Sequence, residues 1–230
     1  MTAEGIAGIA RLDIERTVEQ RLARELQGLI VEGKLAPGVR LRYRDLADQF
    51  GVSVTPVRAA LRELTTQGLV DLVPHEGARV TLLSTDELEE IYAARLGLES
   101  LLARRGVEQL TDHDLERMQQ RFGAVQDALR ASHRQQYLTS IWEYRLPCYE
   151  AANRPRLMAA TASLFRRSVR YNWLTLEHER RWSELMAFQD QFAAACEKRD
   201  PDLAERTIRE IMDWCIRYLV DQFRRQVDER

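Results

Sequence analysis

The segment that most constrains this chain is Leu46-Ala47-Asp48-Gln49-Phe50-Gly51-Val52-Ser53-Val54-Thr55-Pro56-Val57-Arg58-Ala59-Ala60-Leu61-Arg62. It reads as two short helices joined by a glycine turn. Leu46 and Ala47 give the first helix an apolar face, Gly51 supplies the permissive backbone of a tight turn, and Val52 fills the angle between the helices. Thr55 and Pro56 have the chemistry of an N-cap and a first helical residue. Val57, Ala60, Leu61 and Leu64 then recur at helical spacing, which sets Arg58 and Arg62 on a different face. Gly68 closes the second helix. Such a pair, with arginines on its second member, is a helix-turn-helix, which lays one helix in the major groove of DNA.

The flanks extend this unit. Leu69-Val70-Asp71-Leu72-Val73 and Ala78-Arg79-Val80-Thr81-Leu82 are short β-prone runs on either side of Pro74-His75-Glu76-Gly77, and a hairpin directly after a helix-turn-helix is a wing. On the other side, Ile14, Val18, Leu22, Leu26, Leu29 and Ile30 repeat at helical spacing until Gly33, so a further helix packs against the pair. Three helices and a wing are expected over residues 1–82.

From Gly33-Lys34-Leu35-Ala36-Pro37-Gly38-Val39-Arg40-Leu41 through Val80 the chain resembles the winged-helix domain of GntR-type bacterial transcription regulators. The Pro-Gly turn, the Leu-Ala pair, Gly-Val-Ser, Thr-Pro-Val-Arg, Ala-Leu, Gly-Leu-Val and the Gly-Ala-Arg-Val strand occur in family order. The resemblance implies DNA contacts from Arg44, Ser53, Val54, Thr55, Pro56 and Arg58 on the motif helices and from His75 and Gly77 at the wing. Arg58 is then expected to read a base edge or anchor a phosphate, with His75 and Gly77 in the minor groove. Val54 departs from the basic residue common there, which is expected to weaken binding or shift sequence preference.

Composition neither favours nor forbids this reading. The chain has 230 residues, 45% hydrophobic and 30% charged, with a formal net charge of −2, as expected of a soluble protein with one small and one medium domain. A nucleic-acid partner therefore rests on placement: Arg40, Arg42 and Arg44 cluster before the first motif helix, Arg58 and Arg62 lie on the second, and Arg79 follows the wing turn. No apolar run approaches the roughly 20 residues that span a bilayer, and the N-terminus has no basic leader, so a cytoplasmic protein without a membrane partner is expected. Cys148, Cys196 and Cys215 show no close ligand spacing and read as reduced core thiols.

After Leu82, Ser84-Thr85-Asp86-Glu87 has the capping-box pattern and starts an amphipathic helix at once. The remainder shows only helical patterns, punctuated by Thr111-Asp112, Asn153-Arg154-Pro155 and Asp200-Pro201. Six helices are expected, near 85–105, 112–131, 134–152, 155–175, 179–198 and 201–227, with Pro147 kinking or breaking the third. The fold class is mainly α: a winged helix-turn-helix with a small β-hairpin wing over 1–82, then an all-α bundle over 83–230. Asp86-Glu87-Leu88, Ile91-Tyr92, Arg95-Leu96 and Leu98-Glu99, with Tyr149-Glu150-Ala151-Ala152-Asn153 and Ala193-Ala194-Ala195-Cys196-Glu197-Lys198-Arg199-Asp200, resemble the FCD effector domain of FadR-subfamily GntR regulators. Six helices rather than seven place it nearest the VanR-like branch.

Many FCD domains hold a divalent metal through an aspartate and a histidine one turn apart and two further histidines, a set suited to zinc or nickel. The matching positions here are Ser140, Tyr144, Gln189 and Ile211, so no metal cofactor is expected. His75, His113, His133 and His178 include no two one turn apart. The resemblance implies an effector-binding and dimerisation role for this domain, with a pocket lined by Tyr92, Arg95, Ser140, Tyr144, Gln189, Phe192, Ile211, Trp214 and Cys215. In it Arg95 meets either a ligand anion or Glu99 one turn later. The expected whole is a homodimeric regulator, a repressor more than an activator, that binds a two-fold DNA operator and answers to a small organic effector. Two alternatives stand beside it: a winged helix used as a protein-interaction module, and an enzyme, for which no nucleophile-base pair, phosphate loop or paired-acid pattern rises above background.

Overall fold

The computed structural model describes residues 17–175 and 180–228. Ile14 and His178 lie outside the described residues. Helix α1 (Val18–Val31) starts at a capping box in which Thr17 accepts from Gln20 N and the Gln20 side chain answers to Thr17 N. Its inward stripe of Leu22, Ala23, Leu26 and Ile30 packs on α3 (Val54–Thr66). Between them, α2 (Tyr43–Phe50) buries Leu46 and Ala47 and ends at Gly51, whose φ of +65° is the left-handed backbone that ends helices.

Three details differ from the sequence expectation. The N-cap of α3 is Ser53, not Thr55, and Pro56 is the third helical residue. Every position of a first helical turn leaves its N–H without an intrahelical partner, so proline does not select the first over the third. The sheet has a third strand: β1 (Arg40–Arg42) pairs antiparallel with β3 (Gly77–Val80), which also pairs with β2 (Val70–Val73), in the order β1-β3-β2. Arg-Leu-Arg has no alternation long enough to announce a strand; pairing on the free edge of β3 makes it one. Gly77 is required by that edge, because its φ is +149° and a Cβ there would overlap the Leu41 carbonyl oxygen.

The second hydrophobic core lies within α4 (Thr85–Val107), α5 (Asp112–Arg130), α6 (Arg134–Ala151), α7 (Pro155–Thr175), α8 (Arg180–Glu197) and α9 (Pro201–Asp228). Among the described residues these are six helices with no strand, and Pro155 and Pro201 open α7 and α9, where a missing N–H is harmless. Helix α4 is central, packed by α6, α7 and α9. The Gly106 Cα faces the Cys148 carbonyl so closely that a Cβ would collide with it. Pro147 does not break α6. The carbonyl it leaves without a donor, Glu143 O, accepts from Arg121 Nη1 at 2.8 Å, so α5 repairs the ladder.

The two cores meet at α7. The Ser84 hydroxyl accepts from Glu87 N at 3.0 Å, but the Glu87 carboxylate does not return to Ser84, as a full capping box would. It takes Arg167 Nη2 at 2.5 Å and the Tyr171 hydroxyl, and Ser84 N donates to Tyr171 Oη at 3.2 Å. Helix α7 thus completes the cap of α4. Arg170, buried beside Leu69 O at 3.4 Å, reaches the winged unit, and burial holds its pKa below the ordinary arginine value despite Glu87.

Candidate nucleic-acid interface and bundle-centre site

Helix α3 buries Val57, Ala60, Leu61 and Leu64 completely. Its opposite side therefore presents Ser53, Thr55, Arg58 and Arg62 to solvent, while Val54 and Pro56 are half-buried. The Arg58 guanidinium lies 4.7 Å from the centroid of the Tyr43 ring at the start of α2. Tyr43 N donates to Glu76 O at the wing tip, 3.3 Å away, and the Glu76 carboxylate is 3.7 Å from Arg40 on β1. Recognition helix, α2 and wing tip form one continuous strip. Arg42 and Arg44 are exposed beside it.

His75 is exposed at the tip with a φ of +64°, whereas Gly77 is buried beneath β1 and serves the sheet. Arg79 is likewise committed to structure, donating to Gly38 O at 3.2 Å. Tyr43, absent from the sequence reading, supports Arg58 through a cation–π contact.

At the bundle centre Arg95 and Glu99, both on α4, form an ion pair of 2.6 Å with side-chain exposures of 5% and 1%. Arg95 also donates to Ser168 Oγ at 2.9 Å. The other Glu99 oxygen accepts from Tyr149 Oη at 2.9 Å and lies 3.6 Å from Arg145 Nη1. Arg145 donates to Gln189 Oε1 at 2.9 Å, and its Nε has no partner among the described residues. Burial opposes the charge of Arg95, yet Glu99 outweighs it and raises the pKa; for Arg145, Tyr149 and Glu99 do the same. Burial pushes the Tyr137, Tyr144 and Tyr149 phenols up and the Cys215 thiol to about 11. Two guanidiniums thus share one carboxylate.

The cavity beside this cluster has a volume of about 40 Å³, room for about three waters. Of the residues expected to line an effector pocket, Tyr92, Arg95, Ile211, Trp214 and Cys215 do so. Ser140 instead bonds to Gln136 O and Tyr137 O of its own helix, Tyr144 packs edge-on to Phe192, and Gln189 is engaged by Arg145.

Residues 18–80 match the gntR family of bacterial regulatory proteins, and residues 90–213 match the FCD domain. The chain belongs to the gntR family and carries an FCD domain. This gntR protein is similar to the HTH-type transcriptional regulator McbR of Escherichia coli (strain K12), 29% identical over 202 residues, covering 84% of this chain and 88% of that one. It is 23% identical to the HTH-type transcriptional repressor RspR of the same strain over 198 residues, 86% of this chain and 87% of that one. The solved structure of E. coli McbR/YncC superposes with a TM-score of 0.78 at 27% identity, over 90% of this chain and 99% of that one. A GntR transcriptional regulator from Rhodococcus sp. RHA1 shares the fold, with a TM-score of 0.70 at 18% identity over 88% and 97% of the two chains. This protein is therefore a DNA-binding transcription regulator with a helical effector domain.

The metal some FCD domains carry does not fit the donors present. The Ser140 hydroxyl is spent on its own helix, burial keeps the Tyr144 phenol protonated, and Ile211 offers no donor. Gln189 faces the Arg145 guanidinium, which repels a second cation. Among the described residues no group of three or more His, Cys, Asp or Glu could hold a metal ion. Of the histidines, His75 and His113 are exposed, and His133 caps α6 through Nδ1. Sequence reasoning missed Arg145, although Leu138, Ile141, Trp142, Arg145 and Tyr149 recur on one face of α6 at helical spacing.

Proposed function

We propose that this gntR–FCD protein is a cytoplasmic homodimeric repressor. Its winged unit, residues 1–82, binds a two-fold DNA operator, and residues 83–230 dimerise and bind a small organic effector. The observation that carries the DNA half is the strip from Arg58 through Tyr43 to Glu76 and Arg40. In it Arg58 stands on the solvent face of a helix whose other face is fully buried, poised to enter the major groove. Arg44, Ser53 and Thr55 flank it for phosphate or base contacts, and His75 is placed for the adjacent minor groove. Six helices after Leu83, among the described residues, agree with a VanR-like arrangement. The name of RspR supports repression over activation. Among the described residues no helix is long and apolar enough to cross a membrane. Most ionisable groups at the bundle centre are held in ion pairs and hydrogen bonds with one another, which argues against catalysis there.

The test is operator binding by Arg58→Ala, with the operator found by footprinting next to the protein's own gene. A base-reading arginine contributes about 1–3 kcal/mol of discrimination, so affinity falls by about 5- to 150-fold while the thermal midpoint holds. Unchanged operator affinity at moderate salt refutes the assignment and favours a protein-interaction role for the winged unit.

A further inference from the structure

A wider opening than the bundle-centre cavity lies elsewhere among the described residues. A groove of about 390 Å³ runs between α1 of the winged unit and helices α6 and α7 of the FCD domain, within the range of small-molecule sites. Its inner wall is the stacked pair Trp142 and Phe165, with ring centroids 4.7 Å apart. These two rings also line the 40 Å³ central cavity, and Phe165 has the Arg95 guanidinium 5.1 Å from its ring centroid on the inner side. A two-ring wall therefore separates the groove from the buried charge cluster.

Two further features point to an occupant. Gly28 lies inside α1 on the groove, in a helical position where an added Cβ would meet nothing within 4 Å. Neither backbone nor packing demands glycine there, and it weakens the helix relative to alanine, but a side chain would project into the opening. Arg24 of α1 and Arg166 of α7 stand at the groove from opposite sides and are exposed. Neither forms an ion pair or hydrogen bond among the described residues, and Glu143 is the groove's one carboxylate.

We propose that this interdomain groove is the effector site, and that it takes a small flat monocarboxylate whose apolar body lies on Trp142 and Phe165 and whose carboxylate is held between Arg24 and Arg166. The site deepens the reading of the protein as an effector-controlled regulator by adding α1 of the winged unit to the effector-binding residues of 83–230, and only its regulatory consequence rests on that reading. Arg95 cannot supply the anion site, because Glu99 and Ser168 already hold it and the central cavity has no room for an organic acid. A ligand touching α1 on one side and α6 and α7 on the other favours one arrangement of the winged unit. It alters operator affinity only through that difference, and α1 packs directly on the recognition helix.

The full-length protein is labelled with 5-fluorotryptophan and titrated, without DNA, with benzoate and 2-naphthoate, using 2-naphthamide as the uncharged control. The Trp142 fluorine resonance, identified from Trp142→Phe, is expected to move with 2-naphthoate while that of Trp214, which lines only the central cavity, stays in place. Arg24→Ala and Arg166→Ala each weaken 2-naphthoate about tenfold or more, and 2-naphthamide binds no better than they do. Gly28→Leu, whose Cβ meets nothing within 4 Å in the free protein, folds and abolishes binding. Undiminished affinity in Gly28→Leu, or shifts at Trp214 that vanish in Arg145→Met, overturns the groove and places the ligand at the bundle centre. An absence of binding together with an altered oligomeric state in Gly28→Leu assigns the groove to a second copy of the chain and overturns the proposal. With 2-naphthoate bound, operator affinity is expected to change fivefold or more; an unchanged value refutes the regulatory role while leaving the site standing.

Discussion

Replacing Glu99 by glutamine tests the account of the bundle centre most directly. The carboxylate is 1% exposed, accepts from Arg95 Nε at 2.6 Å and from Tyr149 Oη at 2.9 Å, and lies 3.6 Å from Arg145. Glutamine keeps the volume but removes the charge and turns one acceptor into a donor facing Arg95 or Tyr149. The buried cluster then goes from two cations with one anion to two uncompensated cations. Stripping one partner from a buried ion pair costs about 3–5 kcal/mol. In a chain of this size that lowers the thermal midpoint by roughly 6–20 °C, at about 2–4 °C per kcal/mol. Arg145→Met perturbs the same cluster in the opposite sense, leaving Arg95 and Glu99 balanced. Its cost is the orphaned Gln189 acceptor, about 1–3 kcal/mol. Urea denaturation followed by far-ultraviolet circular dichroism compares the two at a common m value. Glu99→Gln is expected to lose more stability than Arg145→Met. Equal losses, or the reverse order, would show that shape and hydrogen bonding, not charge balance, hold the centre together.

Gly77→Ala drives a Cβ into the Leu41 carbonyl; it should destabilise the winged unit by about 1–3 kcal/mol and release β1, seen as accelerated amide exchange at Leu41. Asp114 has its pKa held below the ordinary 3.8, because hydrogen bonds from Thr111 and the nearby Arg117 outweigh its burial. Its contribution is complete above about pH 4 and is lost as pH falls through the lowered value. Asp114→Asn should therefore be less stable at neutral pH and show a shallower acid limb; an acid limb identical to the parent's removes Asp114 from the account. Incubation with a chelator should leave the thermal midpoint unchanged, since a metal bound only to the native state would raise it by mass action; one zinc, nickel or manganese per subunit by elemental analysis contradicts this.

How much was legible in the sequence follows from how local each cause is. The helix-turn-helix rests on Leu46, Ala47, Gly51 and the Val57, Ala60, Leu61, Leu64 stripe, all within twenty residues, and periodicity fixes which side of α3 carries Arg58 before any partner is known. The six later helices were legible for the same reason, because their turn residues, from Thr111 to Pro201, act on adjacent backbone. Spacing likewise made Glu99, one turn away on α4, one of two candidate partners for Arg95, and packing paired them. Tertiary structure decided what depends on distant chain. Strand β1 exists because β3 offers it an edge, and α6 runs through Pro147 because Arg121 from α5 satisfies the freed carbonyl. The cap of α4 is finished by Tyr171 and Arg167, eighty or more residues away. Arg145 gains its partners only when α4, α6 and α8 are packed, and the groove exists only when α1 comes to lie against α6 and α7. A sequence pattern records which face of an element is apolar; which element that face meets, and the space left between them, is set by packing.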